Sequence, residues 1–88
     1  MKYEVKMFGS KNCHERVFEN GARVFFSYAT PVCALIPGRG ALRTTEKYSV
    51  TTSKHCTMWA REFMSCEPAT PEELVRLFEM HRDAPMWA

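Results

Sequence analysis

An α+β fold, an antiparallel β-meander of about 4–5 strands followed by two α-helices packed on one face, is what this 88-residue chain predicts. Three observations carry the prediction. Apolar residues recur with period two in the first half. Glycine- and proline-bearing turns divide that half at short intervals, and beyond the Thr51-Thr52-Ser53 run the apolar spacing changes to that of a helix. A chain of this length forms one domain, residues 1–88, near the lower size at which a single apolar core suffices.

The elements follow in order. Lys2, Glu4 and Lys6 alternate with Tyr3, Val5 and Met7, a half-buried strand over residues 2–8 that stops at Gly9. Residues 10–12 read as a loop and 14–19 as a short strand, closed by Asn20-Gly21, a dipeptide suited to the positive φ of hairpin turns. Residues 23–28 are rich in β-branched and aromatic types and form the next strand. Pro31 lacks a donor and marks a bulge or bend before a strand over 32–36; Pro37-Gly38-Arg39-Gly40 then turns the chain into a strand over 41–49. Thr51, Thr52 and Ser53 are candidate caps for a helix over 54–64, which lines up Cys56, Trp59, Ala60 and Phe63. After a break at 67–69, Thr70-Pro71-Glu72-Glu73 combines a capping hydroxyl, a proline at the first helical position and two acids at the positive helix end. That helix carries Leu74, Leu77, Phe78 and His81 on one face and ends near Arg82-Asp83. The expected core joins Trp59, Phe63, Leu74, Leu77 and Phe78 to Val24, Phe26, Val32 and Leu35.

A composition of 45% hydrophobic and 25% charged residues excludes a disordered chain. No apolar run reaches membrane-span length and the first residues do not resemble a signal peptide, so a cytoplasmic protein is expected. The cysteines Cys13, Cys33, Cys56 and Cys66 are accordingly expected as buried thiols. Zinc would draw on Cys13-His14, His55-Cys56, Cys33, Cys66 and His81, but these lack knuckle spacing, and neither metal nor cofactor is expected. Net charge is +2, unevenly spread: residues 39–61 carry +4 and residues 62–88 carry −4.

His55 with Ser53, Thr52 and Tyr48 has the residue types of a hydrolase centre, but no oxyanion-forming glycine motif or orienting acid stands nearby, and the hydroxyls sit where caps belong. No catalytic residues are assigned and no enzyme is expected. Gly38-Arg39-Gly40 lacks a phosphate-loop pattern and reads as a hairpin turn. The bases Arg39, Arg43, Lys47 and Lys54, with Phe25, Tyr28 and Tyr48 as stacking rings, have the composition of a sheet that binds single-stranded nucleic acid. Met80, Met86 and Trp87 are of types enriched at protein interfaces. An unprotected strand edge would pair with a second copy in a homodimer.

The series Arg-Val-Phe-Phe-Ser-Tyr-Ala-Thr-Pro-Val, a hairpin, and Thr-Glu-Lys-Tyr-Ser-Val-Thr-Thr-Ser-Lys-His with Trp59 four residues on resembles a small domain of unknown function found in short proteins of phages and mobile elements. The resemblance spans residues 23–63 and implies a habitat, with no catalytic residues to carry over. It leads to the expectation of a host-interaction protein in the host cytoplasm, binding a host protein stoichiometrically and inhibiting a CRISPR-Cas or similar defence complex. The contact residues expected are Arg39, Arg43, Lys47 and Lys54 on a basic face, Glu72, Glu73 and Glu79, with Glu67 and Asp83, on an acidic face that mimics nucleic acid, and Trp87. The alternatives are a nucleic-acid-binding module using residues 39–61 and a small hydrolase centred on His55.

Overall fold

The computed structural model describes residues 3–8 and 10–82. Within them the chain forms β1 (Tyr3–Phe8), β2 (Ser10–Phe18), β3 (Arg23–Ser27), β4 (Thr30–Ile36), β5 (Gly40–Thr44), α1 (Val50–Ala60), β6 (Glu67–Ala69) and α2 (Pro71–Arg82). The fold is α+β. Its strands make one six-stranded sheet in sequential order β1 to β6. The first five pair antiparallel, while β6 joins β5 in parallel, with Leu42 opposite Glu67 and Thr44 opposite Ala69. The sheet is therefore mixed and has one strand more than the expected meander: residues 67–69, which read as a break, are held by β5 after α1 has carried the chain across.

Two turns set the register of the middle strands. The Gly21 turn has φ 94°, a conformation open to glycine, and Asn20 Oδ1 accepts from the Ala22 amide at 3.0 Å. Between β3 and β4 it is Tyr28 that has positive φ, 57°, and its amide donates to the Asn12 carbonyl at 2.6 Å. A left-handed conformation costs a residue with a Cβ about 1–2 kcal/mol. The register shift expected at Pro31 is present, since Phe25 faces Cys33 while Phe26 faces Pro31, leaving Val32 as the extra residue.

The expectation that both helices share one face of the sheet is corrected by the pleat. Val24, Phe26, Ala34 and Leu42 pack with Leu74, Leu77 and Phe78 of α2, and the Phe26 and Phe78 rings meet edge-on at 5.2 Å. Their strand neighbours Phe25, Cys33 and Ala41 pack instead with Cys56 and Trp59 of α1, and the Phe25 and Trp59 rings stack at 6.0 Å. Successive residues of a strand point to opposite faces, so α1 covers one face and α2 the other. Aliphatic and aromatic residues at consecutive positions of β3 to β5 reflect a sheet buried on both sides. The expected single core is thus two cores, and Val32 and Leu35 belong with Trp59 and Phe63.

Helix α1 begins four residues before its predicted start. Ser49, in extended conformation, is its cap and accepts from the Thr52 amide at 3.1 Å. Residues 45–49, read as the end of a strand, lie outside β5, and residues 10–12, read as a loop, lie within β2. Helix α2 matches its signal: the Glu73 amide donates to Thr70 Oγ1 at 3.1 Å. No helix among the described residues is long and apolar enough to cross a membrane.

Candidate functional site: a basic groove beside a closed polar cluster

The two hydroxyl-rich signatures meet in space. Ser27, the last residue of β3, turns toward α1, where its Oγ lies 3.0 Å from Thr52 Oγ1 and 2.9 Å from His55 Nδ1. Ser49 Oγ extends the chain by donating to Thr52 Oγ1 at 3.3 Å. The Tyr28 ring sits 6.2 Å from the imidazole, centroid to centroid, so the left-handed turn delivers an aromatic lid to the cluster. Ser27, Thr52 and His55 are all buried, Ser27 to 2% exposure. A hydroxyl and an imidazole at this distance have the spacing of a nucleophile and base. Here they tie the end of β3 to the first turns of α1, a buried clasp between strand and helix. The grouping inferred from the sequence is altered: Thr52 and His55 join Ser27, whereas Ser53 is exposed and Tyr48 lies beside it on the outside. Ser27 was legible only as part of the Ser-Tyr-Ala-Thr-Pro-Val signature.

A second buried polar contact supports the same side of the sheet. Glu15, opposite Phe25 in the β2–β3 register, accepts from Trp59 Nε1 at 2.7 Å. A carboxylate at 3% exposure thus anchors the largest side chain of the α1 core.

The outward face of α1 carries different chemistry. Lys47, Tyr48, Ser49, Val50, Ser53, Lys54, Thr57 and Arg61 line a groove of about 710 Å³ formed by the 45–49 segment and the helix. Residues 50, 53, 54, 57 and 61 follow helical spacing and oppose the buried set Thr52, His55, Cys56 and Trp59. The lining contains three cations and, among the described residues, no acid. None of the three is engaged in an ion pair among those residues, where the pairs are Arg23 with Glu62 at 3.4 Å and Arg39 with Glu73 at 2.7 Å. Burial, with Glu46 nearby, pushes the Tyr48 phenol above its usual pKa, leaving an uncharged ring in the groove at neutral pH.

The expected contact residues are thereby sorted. Lys47 and Lys54 line the groove. Arg43 reaches its rim by donating from Nη2 to Thr57 Oγ1 at 3.2 Å. Arg39 is neutralised by Glu73 on the α2 side, so neither is a free charge of its patch. Glu72 and Glu79 flank Val75 and Arg76 on the outer face of α2, and Glu72 lies near enough to the groove to help raise the Tyr48 phenol. Trp87 lies outside the described residues, as do Met86 and Asp83. Of the proposed stacking rings Tyr28 and Tyr48 are exposed, but Phe25 is fully buried against Trp59. Ser49, Val50 and Thr57 are groove residues that sequence reasoning missed, and Arg61 is one it places only within the basic 39–61 segment; the spacing 50, 53, 54, 57, 61 would have aligned Val50, Thr57 and Arg61 had the helix start been placed at Val50.

None of the four cysteines is in a disulfide, and among the described residues no three His, Cys, Asp or Glu side chains gather as a metal-holding group. The class of protein defined is a small α+β domain with a sealed polar clasp under a helix whose outer face is a basic groove. The chain belongs to the DUF8033 family, a family of unknown function, whose model matches residues 3–73 and so takes in both signatures, the groove and the start of α2. No curated protein and no solved structure matches it.

Proposed function

We propose that this domain is a stoichiometric binding module that holds an anionic strand, single-stranded nucleic acid, along the outer face of α1. The observation that carries this reading is the groove itself: among the described residues Lys47, Lys54 and Arg61 have no carboxylate partner, and they stand beside the exposed Tyr48 ring. Cations that track phosphates and a ring on which a base stacks are the two elements of sequence-tolerant single-strand binding. Ser53 adds a hydroxyl donor between the cations. The polar clasp contributes by fixing α1 against the sheet, so that the groove is preorganised. The test is binding of a labelled single-stranded oligonucleotide across a salt series, with loss of affinity as salt rises and on replacing Lys54 or Arg61.

A second reading retains the host contact that the resemblance implies: inhibition of a host defence complex, CRISPR-Cas or similar, in the host cytoplasm. It is favoured by the outer face of α2, where Glu72, Arg76 and Glu79 surround the exposed Val75, a charged rim about an apolar centre. Its test is recovery from the host of a stoichiometric, nuclease-resistant protein partner that Glu72→Lys with Glu79→Lys abolishes. Recovery unaffected by that reversal refutes it.

A further inference from the structure

The two margins of the sheet differ. β6 is three residues long and carries Pro68, which has no amide to offer a further strand. At the other margin β1 runs six residues, Tyr3–Phe8, and pairs with β2 in regular register from Tyr3 to Met7. The backbone groups that it turns away from β2 meet no strand among the described residues. Glu4, Val5, Lys6 and Met7 are all exposed. Val5 and Met7 extend the rows Arg16–Val24 and His14–Phe26 past the α2 core to this margin, where they are 55% and 60% exposed. Glu4 and Lys6 alternate with them on the α1 side, and neither is in an ion pair among the described residues.

We infer that β1 pairs antiparallel with β1 of a second copy, centred on Val5, and joins two chains into a homodimer. The charges select both the occupant and the register. Two identical strands pair antiparallel about a two-fold axis perpendicular to the sheet, so one residue must oppose itself. With Val5 at the centre, Glu4 faces Lys6 of the second copy and Lys6 faces its Glu4, while Tyr3 faces Met7, so every residue from Tyr3 to Met7 has a partner. Centring on Glu4 or on Lys6 instead sets like charges against each other, which destabilises a strand pair. A lysine on a strand edge ordinarily repels an approaching strand; opposite an acid it recruits one. On the other face Val5 meets Val5 and Met7 flanks it, covering apolar side chains that a single copy leaves in water. The contact is small for a protein interface, so the dimer is reversible and concentration-dependent. A perpendicular two-fold axis keeps each face of the sheet on its own side, so both α1 helices and both grooves lie on one side of the joined sheet.

The pairing is independent of what the groove binds. Its test is sedimentation velocity of the full chain over a concentration series, without nucleic acid. The mass should rise from 10.2 kDa toward twice that value. Glu4→Lys or Lys6→Glu, each at an exposed position, should weaken self-association at least about tenfold, because both cross-strand charge pairs become repulsive. Mixing these two variants should restore association as a heterodimer, and so should Glu4→Lys with Lys6→Glu in one chain. Hydrogen exchange of the wild type at low and high concentration should show added protection at residues 3–8. A wild type that stays monomeric up to its solubility limit, a dimer indifferent to either reversal, no rescue on mixing, or concentration-dependent protection elsewhere than β1 would overturn it; the wild-type measurements decide even if a variant fails to fold.

Discussion

Removing one groove cation should change how binding responds to salt as well as its strength, and the size of the change follows from the structure. Arg61, the C-cap residue of α1, is seven residues beyond Lys54, about 10 Å along the axis at about 1.5 Å per residue, and Lys47 lies beyond the Ser49 cap. On the proposed single-strand reading, three cations spaced in this way would engage three phosphates. For a single strand each contact contributes about −0.7 to the slope of log K against log salt, so the expected slope is about −2. Between about 50 and 200 mM salt, affinity should fall about 20-fold. Arg61→Gln removes one contact, and its slope should be about −1.4, with a loss of about 7-fold over the same range. Arg39→Gln is the control, because that guanidinium is held by Glu73 at 2.7 Å outside the groove. Fluorescence anisotropy of a labelled oligonucleotide, titrated at four or more salt concentrations, measures all three slopes. A wild-type slope near zero, or equal reductions for Arg61→Gln and Arg39→Gln, would refute the argument.

Other outcomes follow from the same geometry. Tyr48→Leu should cost about 1–3 kcal/mol of oligonucleotide binding with an unchanged salt slope, since stacking carries no counterion term; a changed slope in the anisotropy titration would contradict this. Ser27→Ala leaves the buried Thr52 and His55 short of a partner and should lower stability by about 1–3 kcal/mol, a fall of several degrees or more in Tm by calorimetry, whereas an unchanged Tm would remove the clasp from the account. Glu15→Ala should destabilise by a similar amount, about 1–3 kcal/mol by urea denaturation, and more than Glu15→Gln, whose amide oxygen still accepts from Trp59. His14 is held below its usual pKa by burial and by Arg16, and His81 by burial. The unfolded chain therefore binds more protons near its histidine pKa of about 6.5, and stability should fall as pH drops through that value. Thermal denaturation between neutral pH and pH 5.5 checks the sign, and His14→Gln with His81→Gln should flatten the dependence.

What the sequence conveys depends on the range of the interaction involved. Helix α2 is legible from Thr70 to Arg82 because its cap, its proline and its apolar stripe are local. The Gly21 turn and β3 are legible for the same reason. Helix α1 is less so: its first turn, Val50 to Ser53, is β-branched or polar, and the cap that starts it is visible only once Ser49 is seen to accept from Thr52. The strand β6 is invisible, because Glu67-Pro68-Ala69 has no strand pattern and is recruited by pairing with residues 42–44. The division between faces is encoded in β3, where Val24 and Phe26 alternate with Phe25 and Ser27, but consecutive apolar residues do not say which helix each face will meet. The groove required the helix start and the loop together. Ion pairing was equally illegible: Arg39 stands among the bases of its segment and is neutralised from a helix more than thirty residues away.

The parallel strand β6 also has a consequence for how the molecule is assembled. Each of the first five strands pairs with its sequence neighbour, so those contacts close over short loops and can form early. The β5–β6 pairing instead joins Leu42 to Glu67 and must wait for the crossover through α1 to lie against the sheet. Three residues give it few bonds of its own. Its persistence therefore reports whether α1 is seated, and the amide protons of Glu67 and Ala69, with those of residues 42–44 that point toward β6 and not toward β4, should exchange with solvent as one unit, sooner than those of β3 and ahead of global unfolding.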